Sequence, residues 1–396
     1  EHLTMREGLS HNTVMSILQD SEGFLWFGTE SGLNRYDGYS IRLYRRERGD
    51  TRALASDFIW VVTEDSRGDL WLATSGGGVA RWSRETDEFQ QFRHGPERPD
   101  SLASDNVRTL LVSRDGPIWV GLERNGLDML DPVTGRARHY RHRPGDPHSL
   151  ASDGVFALYA DRTGRIWIGT ERGLSRYRQS TDDFANYGTL LEQVAGGEPR
   201  VRAIREDHTG TLWIGTYGAG LIRFDPETGR AFSFRHRPDV PGSLSSDHVR
   251  AVLEDRARRL WIATDKGLDL LDRASGRFVH YSHIPDQPQS LRDSDVMSLS
   301  QDRGGVLWVG TRWGGVSRWN PDSWLLGHYR SAAVGGPAVN AFADDGNGKV
   351  WVGTIAGLVE IDRRTGRERR YGRDGPGNLR LADERVMALL VDRNGV

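Results

Sequence analysis

The chain has 396 residues, 27% of them charged and 37% hydrophobic, and a formal net charge of −2, a profile that excludes a disordered or membrane-embedded protein. Near-neutral charge, with Lys only at Lys266 and Lys349, argues against nucleic acid as a partner, because phosphate binding needs a basic excess on one face. The absence of Cys rules out a disulfide framework, a thiol nucleophile and Cys-ligated zinc.

No apolar stretch approaches the ~18 residues of a membrane helix, and the opening EHLTMREGLS lacks the apolar core of a signal peptide. Membrane contact is therefore not expected within this chain, and any targeting or anchoring segment is expected outside it. With 48 Gly and 13 Trp, the composition favours many short strands joined by tight turns.

From the N-terminus, His2 to Met5 reads as a lone strand, and the first of a series of repeats follows it. Trp26, Trp71, Trp119, Trp167, Trp213, Trp261, Trp308 and Trp351 mark the repeats, at spacings of 45, 48, 48, 46, 48, 47 and 43. Such a period is that of a four-stranded propeller blade. The repeat spanning Ser149 to Tyr187 shows how one is written. Val155 to Tyr159 is predicted as the inner strand, Asp161 to Gly164 as a turn, Ile166 to Thr170 and Gly173 to Tyr177 as middle strands, and Phe184 to Tyr187 as the outer strand. No segment of the chain shows a sustained helical period. The repeated Trp is expected to fill the space between blades, and Asp20, Asp65, Asp161, Asp207, Asp255, Asp302 and Asp345 to hold turns. Two repeats depart from the pattern, with Ser113 in place of the Asp and Arg258 in place of the Gly.

The predicted fold is all-β: a β-propeller of four-stranded blades. Residues 1–322 are expected to form a seven-bladed ring, and 323–396 the first blade and part of the next of a second, truncated propeller. An eight-bladed ring is the alternative. The division rests on the connections. Ser-Leu-x-x-Asp loops at Ser101 to Asp105, Ser149 to Asp153, Ser243 to Asp247 and Ser290 to Asp293 link successive repeats, whereas Trp324 to Phe342 resembles the chain start in leading from a lone strand into an inner one. On this reading His2 to Met5 closes blade seven, leaving no open edge, and Trp324 to Tyr329 would close a later ring. Repeat five also lacks the loop, between Leu191 and Arg200.

A search for catalytic arrangements finds none, and neither cofactor nor metal is expected. The His residues, among them His94, His139, His142, His236 and His280, recur at blade edges. DDGNG at Asp344 to Gly348 resembles a calcium loop but lacks the distal bidentate Glu. Binding is better supported, because the loops of all blades converge on the mouth of a propeller. Two positions vary against the constant frame. One follows the first Val of the inner strand and holds Met15, Trp60, Arg108, Phe156, Arg202, Arg250 and Met297. The other is the turn between the second and third strands, with Glu123, Arg124, Glu171, Arg172, Tyr217, Arg312 and Trp313. The candidate ligand-binding residues are Trp60, Arg108, Arg202, Arg250, Tyr217, Arg312 and Trp313, since aromatic faces and Arg forks suit a sugar or an anion.

The run NTVMSILQDSEGFLWFGTESGLNRYDGY, Asn12 to Tyr39, resembles the first repeat of two-component regulator propeller sensors, and DRTGRIWIGTERGLSRY and DRGGVLWVGTRWGGVSRW are similar to later ones. The resemblance implies the periplasmic half of a bacterial inner-membrane receptor, with two seven-bladed propellers followed by an immunoglobulin-like domain, a membrane helix and a cytoplasmic histidine kinase or diguanylate cyclase. The expected function is then a non-catalytic sensor module with a carbohydrate or other small-molecule ligand and a homodimer through the parent receptor. The alternatives are a propeller enzyme, such as a lyase resembling the streptogramin-inactivating propellers, and a protein interaction scaffold.

Overall fold

The computed structural model describes residues 1–113, 116–321, 339–345, 348–362, 367–373, 380–383 and 385–391. The chain divides into two compact units, Glu1–Asp322 and Ser323–Val396. The first contains seven four-stranded antiparallel sheets among the described residues. In blade four, Val155–Ala160, Ile166–Thr170, Gly173–Arg178 and Asp183–Asn186 run in order from the innermost strand to the outermost. The outer strand thus starts and stops one residue before its predicted limits.

The inner strands are Val14–Gln19, Ile59–Glu64, Val107–Val112, Val155–Ala160, Arg200–Glu206, Val249–Glu254 and Val296–Gln301. Each lies beside the next, and the last lies against the first, so these sheets close a ring. Closure of blade seven is made by His2–Leu3, which pairs with the outer edge of Val316–Trp319 in the register His2↔Ser317 and Leu3↔Val316.

The signature does two jobs in six blades of the ring. In blade one, Asp20 Oδ1 accepts the N–H groups of Glu22 and Phe24 at 3.0 and 2.9 Å, which fixes the turn, while Oδ2 accepts the indole N–H of Trp26 at 2.8 Å. The indole bond recurs at Trp71, Trp167, Trp213, Trp261 and Trp308. A buried indole N–H needs a partner, so the Asp that shapes the turn also makes the Trp affordable in the core. Arg258, standing where the repeat has Gly, adopts the left-handed conformation with φ 63°. Gly169 is constrained differently: a Cβ there would lie 2.6 Å from Val201 Cγ1 in the next blade, so the residue permits close approach of two sheets.

A helix, Gly188–Ala195, corrects the expectation that the chain has no helical segment. It occupies the connection into blade five that lacks the Ser-Leu-x-x-Asp loop. Two turns with only Leu191 and Ala195 buried are too short to display a period, and the helix is held by packing instead. Elsewhere the loop is pinned: His94 N–H donates to Asp105 Oδ1 at 2.7 Å, and Gly95 N–H to Ser101 Oγ at 2.8 Å. Blade seven departs from the predicted motif, since Ser294 accepts the equivalent N–H of His283, and Asp293 instead accepts that of Trp313. The edge histidines bond into these loops, His94, His142 and His236 to leucine carbonyls and His139 and His280 to Asp128 and Asp269.

In the second unit Val339–Asp344, Lys349–Thr354, Gly357–Asp362 and Glu368–Tyr371 form one four-stranded sheet. Val386 N–H donates to Thr354 O at 2.9 Å, where the next repeat begins. The predicted strand Trp324 to Tyr329 lies outside the described residues, as do Gly346 and Asn347 of the DDGNG turn.

Candidate functional site

Every inner strand of the ring carries a register shift against its neighbour at one residue, immediately after its first Val or Ile. The residues at these bulges are Met15, Trp60, Arg108, Phe156, Arg202, Arg250 and Met297. A bulge inserts one residue without a ladder partner and re-aims its side chain. All seven line one cavity of about 640 Å³, together with Glu30, Tyr217 and Arg312. The position that varied most in the repeat is therefore the one the backbone turns inward.

Within the cavity each bulge Arg leans on an apolar neighbour. The Arg108 guanidinium lies 3.3 Å from the Trp60 ring centre and that of Arg202 lies 3.6 Å from Phe156, while Arg250 Nη1 rests on the Met297 sulfur. Asp295 balances two of the cations, at 3.0 Å from Arg250 and 2.7 Å from Arg312. Among the described residues Arg108 and Arg202 have no such contact. Arg108 Nη1 and Arg202 Nε are shut off from solvent without a hydrogen-bond partner. Burial, and then the nearby Arg202, pull Arg108 down to about 9, with Glu123 opposing them and Arg250 adding to the depression. Burial likewise lowers Arg202, against the pull of Glu171. Guanidinium keeps its proton at neutral pH, so these depressions mark buried cations that make no direct ion pair among the described residues.

Six of the seven predicted residues, Trp60, Arg108, Arg202, Arg250, Tyr217 and Arg312, meet in this cavity. Trp313 does not line it: the side chain is 65% exposed. The supporting role of Phe156 and Met297 was not seen in the sequence, although both occupy the variable position that flagged the Arg residues. Also unforeseen is a His–carboxylate pair at the rim. His248 Nδ1 lies 2.9 Å from Asp265, and its ring stacks parallel on Tyr217 at 4.1 Å.

Among the described residues, Asp207, His208 and Glu254 are grouped closely enough to hold a metal ion. The group is already bridged by a cation, since Arg273 donates to Asp207 at 2.8 Å and to Glu254 at 2.6 Å, and His208 Nδ1 lies 2.7 Å from Glu254. We therefore read it as a filled arginine slot.

A ring of repeated blades that turns its variable residues toward a shared cavity defines a repeat β-propeller whose cavity is lined by side chains from every blade of the ring. Six of its blades are two-component regulator propeller repeats, the family model matching residues 8–31, 53–76, 149–172, 196–218, 243–266 and 290–313. The extracellular domain of a putative hybrid two-component system from B. thetaiotaomicron is similar over 100% of this chain and 51% of its own, with a TM-score of 0.71 and 27% identity. Histidine kinase P4 of Formosa agariphila is 30% identical over 74 residues, 19% of this chain and 5% of that protein. Virginiamycin B lyase from Staphylococcus aureus shares the fold alone, with a TM-score of 0.56 and 13% identity over 78% of this chain and 94% of its own. The chain spans about half the length of the solved two-component domain and a small part of the kinase. Among the described residues no helix is long and apolar enough to cross a membrane.

Proposed function

We propose that this chain is the ligand-sensing, periplasmic propeller region of a bacterial transmembrane two-component receptor. It binds a small anionic ligand, an acidic carbohydrate being the best match, in the central cavity and performs no chemistry of its own. One observation carries the choice of ligand: Arg108 and Arg202 are stacked on aromatic rings with buried N–H groups unpaired. A carboxylate or sulfate would accept those N–H groups, and the aromatic faces would take the apolar side of a sugar ring. Six two-component regulator propeller repeats and likeness to an extracellular domain support the sensory role. The ligand would act on signalling by favouring one arrangement of a dimeric parent receptor over another.

Calorimetric titration with matched acidic and neutral oligosaccharides tests this reading. Acidic ligands should bind, and Arg108→Ala and Arg202→Ala should each weaken them at least tenfold, as expected for loss of a charge-assisted hydrogen bond worth about 1.5–3 kcal/mol. Unchanged affinity in both variants would remove the cavity as the recognition site. The His248–Asp265 pair beside Tyr217 favours a second reading, an enzyme at the same mouth. Recovery of chemically altered ligand from wild type, but not from His248→Ala, would select it.

A further inference from the structure

Each signature Asp at a blade interface faces a slot, and at four interfaces the ring fills that slot with a guanidinium, in two ways. In the first, the next blade supplies the arginine just past its third strand. Arg84 of blade two reaches Asp20 at 3.1 Å and Glu64 at 3.1 Å, and Arg273 of blade six reaches Asp207 and Glu254. Where that position is Pro, the turn supplies its own arginine four residues after the Asp. Arg165 reaches Asp161 and Glu227 at 2.6 and 2.7 Å beside Pro226, and Arg259 reaches Asp255 at 2.6 Å and the Pro321 carbonyl at 3.4 Å. All four of these Asp residues are buried. Between blades seven and one, Asp302 has no such arginine among the described residues, and Val306 and Tyr36 close the space by packing on the Trp308 cluster.

Between blades two and three neither route is used. Pro132 stands at the arginine position of the next blade, Asp69 stands at the arginine position of the turn, and Val112 replaces the second acid. Asp65 keeps its turn bonds and the Trp71 indole at 2.9 Å, but it is only half-buried. Beside it a cavity of about 620 Å³ is lined by Asp65, Arg67, Trp71, Arg81, Val112, Asp131 and Pro132. Asp69 is not available to that cavity as a free acid, since it already pairs with Arg81 at 2.5 Å.

We propose that this cavity is a docking slot for an arginine side chain carried by a partner protein. The partner's guanidinium would take the place that Arg84 and Arg273 hold in the other interfaces, with Asp65 and Asp131 as acceptors and the Trp71 wall beside it. The pattern is that of the molecule's own solution to the same slot, in which Arg84 reaches Asp20 while Arg35 lies over the Trp26 ring, as Arg81 lies over that of Trp71. The chemistry therefore names a planar, multiply donating cation, which a lysine ammonium reproduces less well.

The test is a titration of the full chain with three blocked tripeptides that carry arginine, lysine or citrulline at the centre, read by the Trp71 indole N–H resonance, assigned through Trp71→Phe. The arginine peptide should shift that resonance saturably and the citrulline peptide should not. Pro132→Arg, which fills the slot from within, should weaken the arginine peptide at least tenfold and raise the melting temperature. Val112→Glu, which supplies the second acid seen at Glu64 and Glu254, should tighten it at least threefold. Absence of a saturable shift in wild type, equal shifts from arginine and citrulline, or unaltered binding in both slot variants would each overturn the proposal.

Discussion

At the scale of single residues, the repeat is a carboxylate that divides its two oxygens between a turn and an indole. Blade three shows what happens without it. Ser113 stands where the Asp belongs, and Trp119 is still buried at 4% exposure. Ser113→Asp should supply the missing acceptor and raise the unfolding free energy by about 1 kcal/mol, measured by urea denaturation. The same carboxylates set the acid limit of the fold. Burial pushes Asp161 up, but hydrogen bonds from Thr163, Trp167 and Arg165 outweigh it and hold the group at about 2; Asp207 is lowered in the same manner. A depressed folded value means that the stabilisation is complete above the ordinary carboxylate range, near pH ~4, and is lost as the pH falls through about 2. Unfolding measured from pH 6 to pH 2 should therefore show wild type losing stability over that window. Asp161→Asn should be less stable at neutral pH and approach wild type at the acid end. The turn-holding role of Asp was legible in the sequence, because Asp and Gly at this spacing build such turns. Its bond to the Trp was not, since spacing alone does not say where an indole N–H points.

At the scale of elements, the inner strands are tied to one another by a belt that runs round the ring. Turn amides of one blade donate to the acceptor that ends the inner strand of the next: Ser21 to Glu64, Arg162 to Glu206, His208 to Glu254, Arg256 to Gln301 and Arg303 to Gln19, at 2.7 to 2.9 Å. Val112 of blade three and Ala160 of blade four carry no side-chain acceptor at that position. Blade three is thus tied less firmly than its neighbours, and the proposed arginine slot opens at this seam. Gln301→Ala should cost about 1 kcal/mol and speed hydrogen exchange at the Arg256 amide, while amides of blade four stay protected. The bulges belong to this scale too. A bulge is set by pairing to the second strand, so the sequence displays a variable position and only the sheet shows that it faces the cavity. The helix Gly188–Ala195 was missed for a related reason, its stability coming from packing on blades four and five rather than from its own period.

At the scale of the whole molecule, the ring depends on two residues of strand. His2 and Leu3 complete blade seven, and His2 bonds through Nδ1 to Ser317 and through Nε2 to the Pro288 carbonyl, at 3.0 and 2.9 Å. Removing residues 1–7 should expose the edge of Val316–Trp319, lower the melting temperature by several degrees and promote edge-to-edge association, visible as larger species on size-exclusion chromatography. The sequence by itself determined the repeat, the order of strands within a blade and the short-range Asp chemistry, because each is an interaction over a few residues that every copy restates. Only the tertiary structure decided which blades meet. Arg108 rests on Trp60 of the blade before it, Asp65 faces a slot that blade three leaves open, and Tyr217 of blade five stacks on His248 of blade six. Those contacts depend on the closure of the ring and on the direction in which a bulge turns a side chain, and neither is written in residue spacing.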